Sequence, residues 1–224
     1  MQRADLRGRG GAAAAVVAAL ALAGAVACSA VYYGAWERLG REKRDLLRSH
    51  VEDVKEEQQA TGEQFQDALE RLRAVYGSSG TELERRYDAL RAEYEDAEAR
   101  AEALRARIRR ARTTAEDLFA EWDDEIDTMQ DAALKRRSRA QRAATLQRWR
   151  GLDAAMTRSE KSMEPVLVRL RDHVLAMKHS LNAQALGTLE GEVGSIGRDV
   201  DALVADLELS IAEADAFLAA LGPS

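Results

Sequence analysis

Between Leu83 and Trp122, apolar residues recur at alternating steps of four and three, and this repeat constrains the fold more than any other feature. A spacing that averages about 3.5 residues is the a/d repeat of a coiled coil. A straight helix cannot keep such a repeat on one face, so the segment predicts a long helix wound around partner helices. The positions are Leu83, Tyr87, Leu90, Tyr94, Ala97, Ala101, Leu104, Ile108, Ala111, Ala115, Leu118 and Trp122.

The same repeat runs from Leu47 to Val75, where the polar residues Gln58 and Thr61 interrupt it, as register-setting positions often do. Between the two repeats, residues 77–80 read Gly-Ser-Ser-Gly, which is a strong turn signal. Two helical segments of similar length that flank a short turn predict an antiparallel hairpin. We expect its arms to span residues 33–76 and 81–130.

Two further apolar repeats follow a phase shift after Trp122, and they predict helices over residues 134–181, with Pro165 inside, and 183–220. Only 5% of the residues are aromatic and only 2 are Pro, which is typical of long helices. None of these helices can bury its apolar stripe alone. The predicted fold class is therefore all-α: an elongated antiparallel coiled-coil bundle of three to four long helices after a signal peptide.

The N-terminus has the layout of a secretory signal peptide. Three Arg residues lie within the first nine positions, and a charge-free segment of Ala, Val, Leu and Gly then runs from Ala12 to Ala27. The next residue, Cys28, is the only Cys of the chain. This arrangement resembles the lipobox of bacterial lipoproteins, although Ala25 stands where a Leu is usual. The resemblance implies that residues 1–27 are removed and that a single domain, residues 28–224, is held to a membrane by acyl chains on Cys28.

The alternative is an uncleaved anchor, because the charge-free stretch from Ala12 to Tyr33 is just long enough to span a bilayer. Under both interpretations, the body of the protein lies in the bacterial cell envelope. Ser29 is not an Asp, which in enterobacterial sorting favours the outer membrane. We therefore predict the periplasmic face of the outer membrane, with an inner-membrane anchor as the alternative.

Four glycines share one face of the last predicted helix. Since each Gly in a helix costs about 1 kcal/mol relative to Ala, the group predicts close packing against another helix, in the same chain or in a partner. A locally loose helix is the alternative. The residues are Gly187, Gly191, Gly194 and Gly197.

Two Arg-rich stretches are candidates for binding a protein partner or an anion such as a lipid headgroup or a polyanion. The named candidates are Arg105, Arg109, Arg112, Arg136 and Arg139. The alternative is salt bridging with acidic neighbours inside the bundle, which the interleaved Ala residues favour. Because the formal net charge is -6, non-specific binding of nucleic acid is not expected.

The sequence contains no pattern that predicts catalysis. Asp172 precedes His173, but the side chains of adjacent helical residues diverge, so the pair predicts no acid/base dyad. The acidic run from Glu121 to Asp127 lacks the Gly-containing loop of a calcium site and is read as a solvated helix face. No phosphate-binding glycine loop is present. We therefore predict no enzyme activity, no catalytic residue, no metal and no cofactor.

Several segments together resemble the bacterial domain-of-unknown-function family 2959. The resemblance implies a helical Gram-negative envelope lipoprotein and supplies no activity that could be transferred. The segments are CSAVYYGAWE (residues 28–37), REKRDLL (41–47), FAEWDDEI (119–126), MEPVL (163–167), LRDHVL (170–175), KHSLNA (178–183) and DAFL (215–218).

Three functional hypotheses follow. The leading one is a non-enzymatic, lipid-anchored structural or scaffold protein that binds the membrane through Cys28 and binds a protein partner, or itself, through its helices. The alternative is an envelope module that binds lipid headgroups or polyanions through its Arg-rich faces. A cytoplasmic nucleic-acid or ATP-linked factor is the remote alternative, and no motif supports it.

Overall fold

The computed structural model describes the backbone of residues 9–75, 81–180 and 190–221, and the side chains of residues 42–75, 81–179 and 193–221. Within these ranges the chain forms α1 (Arg9–Val75), α2 (Thr81–Thr128), α3 (Ala132–Ser180) and α4 (Glu190–Leu221). The described residues contain no β-strand. The predicted all-α helical fold is confirmed.

The chain divides into two compact units, Met1–Lys43 and Arg44–Ser224. In the first unit, the backbone is helical from Arg9 onward. The second unit contains the rest of α1 together with α2, α3 and α4, and it is the unit in which the helices pack against one another.

Helix α1 runs antiparallel to α2, as contacts at two levels of the second unit show. Near the end of α1, the side chain of Gln64 donates a hydrogen bond to Glu93 at 2.8 Å. Nearer its middle, the ring of His50 is hydrogen-bonded to Thr114 at 2.9 Å. Earlier residues of α1 therefore meet later residues of α2, which is the geometry of a helical hairpin.

Helix α3 returns antiparallel to α2, because Arg142 bonds to Asp123 while Arg112 bonds to Asp153. Helix α4 is antiparallel to α3, and it also lies beside α1, where Lys55 pairs with Asp215 at 2.6 Å. The second unit is thus an up-down-up-down four-helix bundle. At 48 residues, α2 is about 72 Å long.

The apolar repeats line the interior of this bundle. All nine positions of the Leu47–Val75 repeat are buried, and so are the positions of the Leu83–Trp122 repeat except Tyr94 and Trp122, which are partly buried. The nine are Leu47, Val51, Val54, Gln58, Thr61, Phe65, Ala68, Leu72 and Val75. Burying one Leu, Val or Phe side chain stabilises the fold by about 1.5–3 kcal/mol, so these residues account for most of the stabilisation. The supercoiled geometry of a coiled coil stays a prediction.

The turn between α2 and α3 ends at Asp131, which caps the following helix. Asp131 accepts hydrogen bonds from the backbone N–H groups of Ala133 and Leu134, at 2.7 and 2.9 Å, and so caps the start of α3. These bonds lower the pKa of Asp131. Pro165 lies inside α3, which continues through it as one helix.

Candidate functional site

The five Arg candidates separate into cations with partners inside the bundle and cations without them. Arg112 belongs to the first group: it donates hydrogen bonds to Asp153 at 2.6 Å, to Thr157 at 2.8 Å and to Glu160 at 3.0 Å, all on α3. Burial lowers the pKa of the Arg112 guanidinium, but the bond to Asp153 and the charge of Glu160 outweigh it, and the pKa is raised overall. Arg112 therefore joins α2 to α3.

Arg105 and Arg139 also have acidic partners. Arg105 pairs with Glu102 on its own helix and with Glu164 on α3, the latter at 3.0 Å. Arg139 lies 3.5 Å from Asp127 and remains well exposed. Salt bridging, the alternative weighed for the Arg-rich stretches, therefore describes these residues and Arg112.

Arg109 and Arg136 differ from the other three candidates. Both side chains are exposed, and within the described part of the chain neither makes an ion pair. Arg110, Arg137, Arg148 and Arg150 are in the same situation. Within the two Arg-rich stretches, these exposed cations are the ones that remain available to a partner.

Two carboxylates of the acidic run of α2 pair with cations of α3. Asp123 pairs with Arg142, and Asp127 lies 3.4 Å from Lys135. Burial, followed by the neighbouring carboxylate of Glu121, raises the pKa of Glu125. Among the described residues, no three His, Cys, Asp or Glu side chains form a group that could hold a metal ion.

A cleft of about 320 Å³ lies between α3 and α4, and sequence reasoning did not foresee it. Its lining includes Arg169, which donates to Ser195 at 2.8 Å and pairs with Asp199 at 2.8 Å. His173 is 4% exposed whereas the Asp172 side chain is 63% exposed, so the two diverge, as adjacent helical residues do. Because the Arg169 cation is already engaged by protein groups, the cleft offers no obvious anion site.

The glycines of α4 do not share one environment. A Cβ added at Gly197 would lie 3.1 Å from the Arg73 guanidinium and 3.9 Å from Leu69, so this residue packs closely against α1. A Cβ added at Gly194 would meet nothing within 4 Å. Gly187 lies outside the described residues, and the surroundings of Gly191 are likewise outside the described side chains.

Cys28 lies in helix α1, but its side chain is outside the described ones, as is the predicted anchor stretch Ala12–Tyr33. Lipidation and cleavage at this position therefore stay predictions. Among the residues the structure describes, no helix is both long enough and apolar enough to cross a membrane.

A buried carboxylate on α1, which the sequence did not predict, forms ion pairs with α2. Glu57 is only 3% exposed, and its carboxylate pairs with Arg100 at 3.1 Å and with Arg107 at 2.8 Å. Arg107 also donates to the backbone carbonyl of Asp53. These contacts hold α1 against α2. The signal in the sequence is weak, because Glu57 precedes Gln58 in the α1 repeat and looks like one more solvated carboxylate.

The chain matches a family model. That model is described as a protein of unknown function, DUF2959, and it matches residues 32–221. The chain belongs to the DUF2959 family. No curated protein and no solved structure matches the chain. Membership of DUF2959 confirms the resemblance found in the sequence and assigns no activity.

Proposed function

We propose that this DUF2959 protein is a non-enzymatic structural or interaction protein, held to an envelope membrane by acyl chains on Cys28. The observation that carries the proposal is the position of the only Cys of the chain. It follows a basic start and a charge-free segment that ends in Ala25-Val26-Ala27. A thiol placed there is the chemical group that lipoprotein processing modifies.

The packing of the second unit supports an interaction role. Its interior is filled by the apolar repeats, and Arg112 and the pair Arg107–Glu57 hold neighbouring helices together. The outward faces of α2 and α3 carry exposed charged groups that take no part in these contacts. A rigid rod of helices with charged outer faces suits a protein that binds other macromolecules by its sides.

The proposed location is the periplasmic face of the outer membrane, with the inner membrane as the alternative. Ser29 is the residue that bears on this choice, because an Asp at this position is the enterobacterial signal for inner-membrane retention. A Ser29→Asp variant should therefore move from the outer-membrane to the inner-membrane fraction. Unchanged distribution of the variant would remove the argument from Ser29.

The alternative function is binding of lipid headgroups or polyanions. The exposed Arg109 and Arg136 favour it, whereas Arg105 and Arg112 are already engaged by carboxylates. Retention of the protein on a heparin column tests this alternative. If Arg109→Ala together with Arg136→Ala leaves the salt concentration of elution unchanged, the Arg faces do not bind polyanions.

Metabolic labelling with a radioactive fatty acid tests the lipid anchor. The wild-type chain should incorporate the label and sediment with membranes. Cys28→Ser should lose the label, whereas Ser29→Ala, the matched neighbour, should keep it. An unlabelled wild-type chain, or equal labelling of the Cys28→Ser variant, would overturn the proposal.

A further inference from the structure

Near their shared turn, α2 and α3 carry opposite charges. Residues 113–128 of α2 include seven acidic residues and no basic one, and residues 132–152 of α3 include seven basic residues and no acidic one. On α1, on the rest of α2 and on the rest of α3, acidic and basic residues are interspersed, whereas α4 is mostly acidic. The α2–α3 end is therefore a dipolar hairpin.

The ion pairs inside this hairpin use only part of its charge. Asp127 pairs with Lys135 and Arg139, and Asp123 pairs with Arg142. The unused groups are exposed and, within the described residues, make no ion pair. Among them, Asp117 and Asp124 lie seven residues apart on one side of α2, and Arg136 and Arg150 lie fourteen residues apart on one side of α3. We call these two pairs the acidic face and the basic face.

The register of the two helices places these faces at overlapping heights. Arg112 bonds to Asp153 and Arg142 to Asp123, and both helices rise by about 1.5 Å per residue. Asp117 therefore lies level with residue 148 of α3, and Asp124 lies level with residue 141. Both heights fall between those of Arg136 and Arg150.

This arrangement is complementary to itself. A two-fold axis parallel to the helices would bring the acidic face of each copy against the basic face of the other. We propose that the α2–α3 face is a self-association surface and that its partner is a second copy of this chain.

Small exposed side chains permit the close approach that such a contact needs. Ala120 on α2 and Ala140, Ala143 and Ala144 on α3 lie between the charged residues and are exposed. At the tip of the hairpin, Leu134 is 60% exposed and offers apolar surface to bury. Charged rims around small apolar contacts guide two surfaces into register.

The charge pattern also argues for a second copy over an anionic membrane. A membrane surface that attracted the basic face would be repelled by the acidic face on the neighbouring helix. The pattern limits the contact as well. Arg109 and Arg110 would lie near Arg158 of the other copy, and these like charges would oppose any extension of the interface toward the middle of the bundle.

The inference names a partner for the proposed interaction role, but it does not depend on the lipid at Cys28. It is tested on the full-length chain in detergent micelles by sedimentation equilibrium, with and without Cys28→Ser. If self-association persists in Cys28→Ser, it supports the proposed α2–α3 surface even when the wild-type chain incorporates no fatty acid. The wild type should associate, and raising the salt concentration should weaken the association.

Charge reversal provides the decisive variants. Arg136→Glu with Arg150→Glu, and separately Asp117→Arg with Asp124→Arg, should each weaken self-association at least about tenfold. A mixture of the two variants should associate, because one variant then presents two acidic faces and the other presents two basic faces. The four substitutions combined in one chain should also restore association. Arg85→Glu with Arg198→Glu, a matched reversal of exposed cations at the other end of the bundle, should have no effect.

Restoration by the combined variant excludes misfolding as the cause of the loss. A monomeric wild type, or reversals that leave the mass unchanged, would overturn the proposal. So would a mixture that fails to associate. Vesicles containing anionic lipid provide the remaining arm: if the Arg136→Glu/Arg150→Glu variant loses vesicle binding but keeps its mass, the occupant is a lipid surface and the proposal is wrong.

Discussion

Gln58 of α1 donates a hydrogen bond to Ser210 of α4 at 2.6 Å, across the closed interior of the bundle. Both residues are 0% exposed, and the Gln58 amide also reaches Ser159 of α3 at 3.3 Å. The Gln58 carbonyl oxygen is buried without a hydrogen-bond partner. An apolar repeat thus contains one polar layer that three helices share, and this layer fixes their relative heights at some expense of stability.

Gln58→Leu should stabilise the bundle. The substitution removes an unsatisfied buried oxygen and adds apolar contact, so the free energy of unfolding should rise by about 1 kcal/mol in denaturant titrations. Gln58→Ala, the matched truncation, should lower it by about 2 kcal/mol, because a cavity remains. A strongly destabilised Gln58→Leu variant would mean that the polar layer is satisfied and contributes net stability.

Arg112 and Arg109 should respond differently to the same substitution, although the sequence marks both as anion-binding candidates. Arg112→Ala removes three hydrogen bonds to α3 and should cost about 1–2 kcal/mol of unfolding free energy. Arg109→Ala removes an exposed side chain and should change it by less than about 0.5 kcal/mol. Equal effects in thermal unfolding would contradict the assignment of Arg112 to the α2–α3 contact.

Gly194 and Gly197 provide a second matched pair. Gly194→Ala adds a methyl group in open space and should stabilise α4 by about 0.5–1 kcal/mol, since Ala loses less backbone entropy than Gly. Gly197→Ala should give a smaller gain, because the Arg73 guanidinium 3.1 Å away must move. Loss of stability in Gly194→Ala would show that a partner packs against that residue.

Asp131 should make stability depend on pH at the acidic end. Its pKa is lowered by the backbone N–H groups of Leu134 and Ala133, so its contribution is present above the unfolded-state pKa and is lost as the pH falls through the folded-state pKa. Asp131→Asn keeps a capping oxygen that does not titrate. The wild type should match this variant at neutral pH and become the less stable of the two as the pH falls below the ordinary Asp pKa of about 4, as measured by circular dichroism. A constant difference across this pH range would show that Asp131 does not act through its charge.

The fold followed from the sequence because the apolar spacing reports directly on which residues face a helical interior. Leu47, Phe65, Leu104 and Ile108 were expected in the core, and each is fully buried. That inference needs only the geometry of one helix. It does not need the positions of the neighbouring helices.

The roles of the charged residues could not be read in the same way. Arg105 finds Glu164 on another helix, and Glu57 finds Arg107, because the helices adopt a particular relative height and rotation. A shift of one helical turn would exchange these partners for others. The sequence therefore marked two stretches of Arg as candidates but could not separate Arg112, which is engaged inside the bundle, from Arg109, which is not.

Mass spectrometry of the native N-terminus tests the central claim most directly. Protein purified from the membrane fraction of a bacterium with lipoprotein-processing enzymes should begin at Cys28 and carry diacylglycerol on its thiol. An intact N-terminus that begins at Met1, or a mature chain whose Cys28 carries no lipid, would contradict the account.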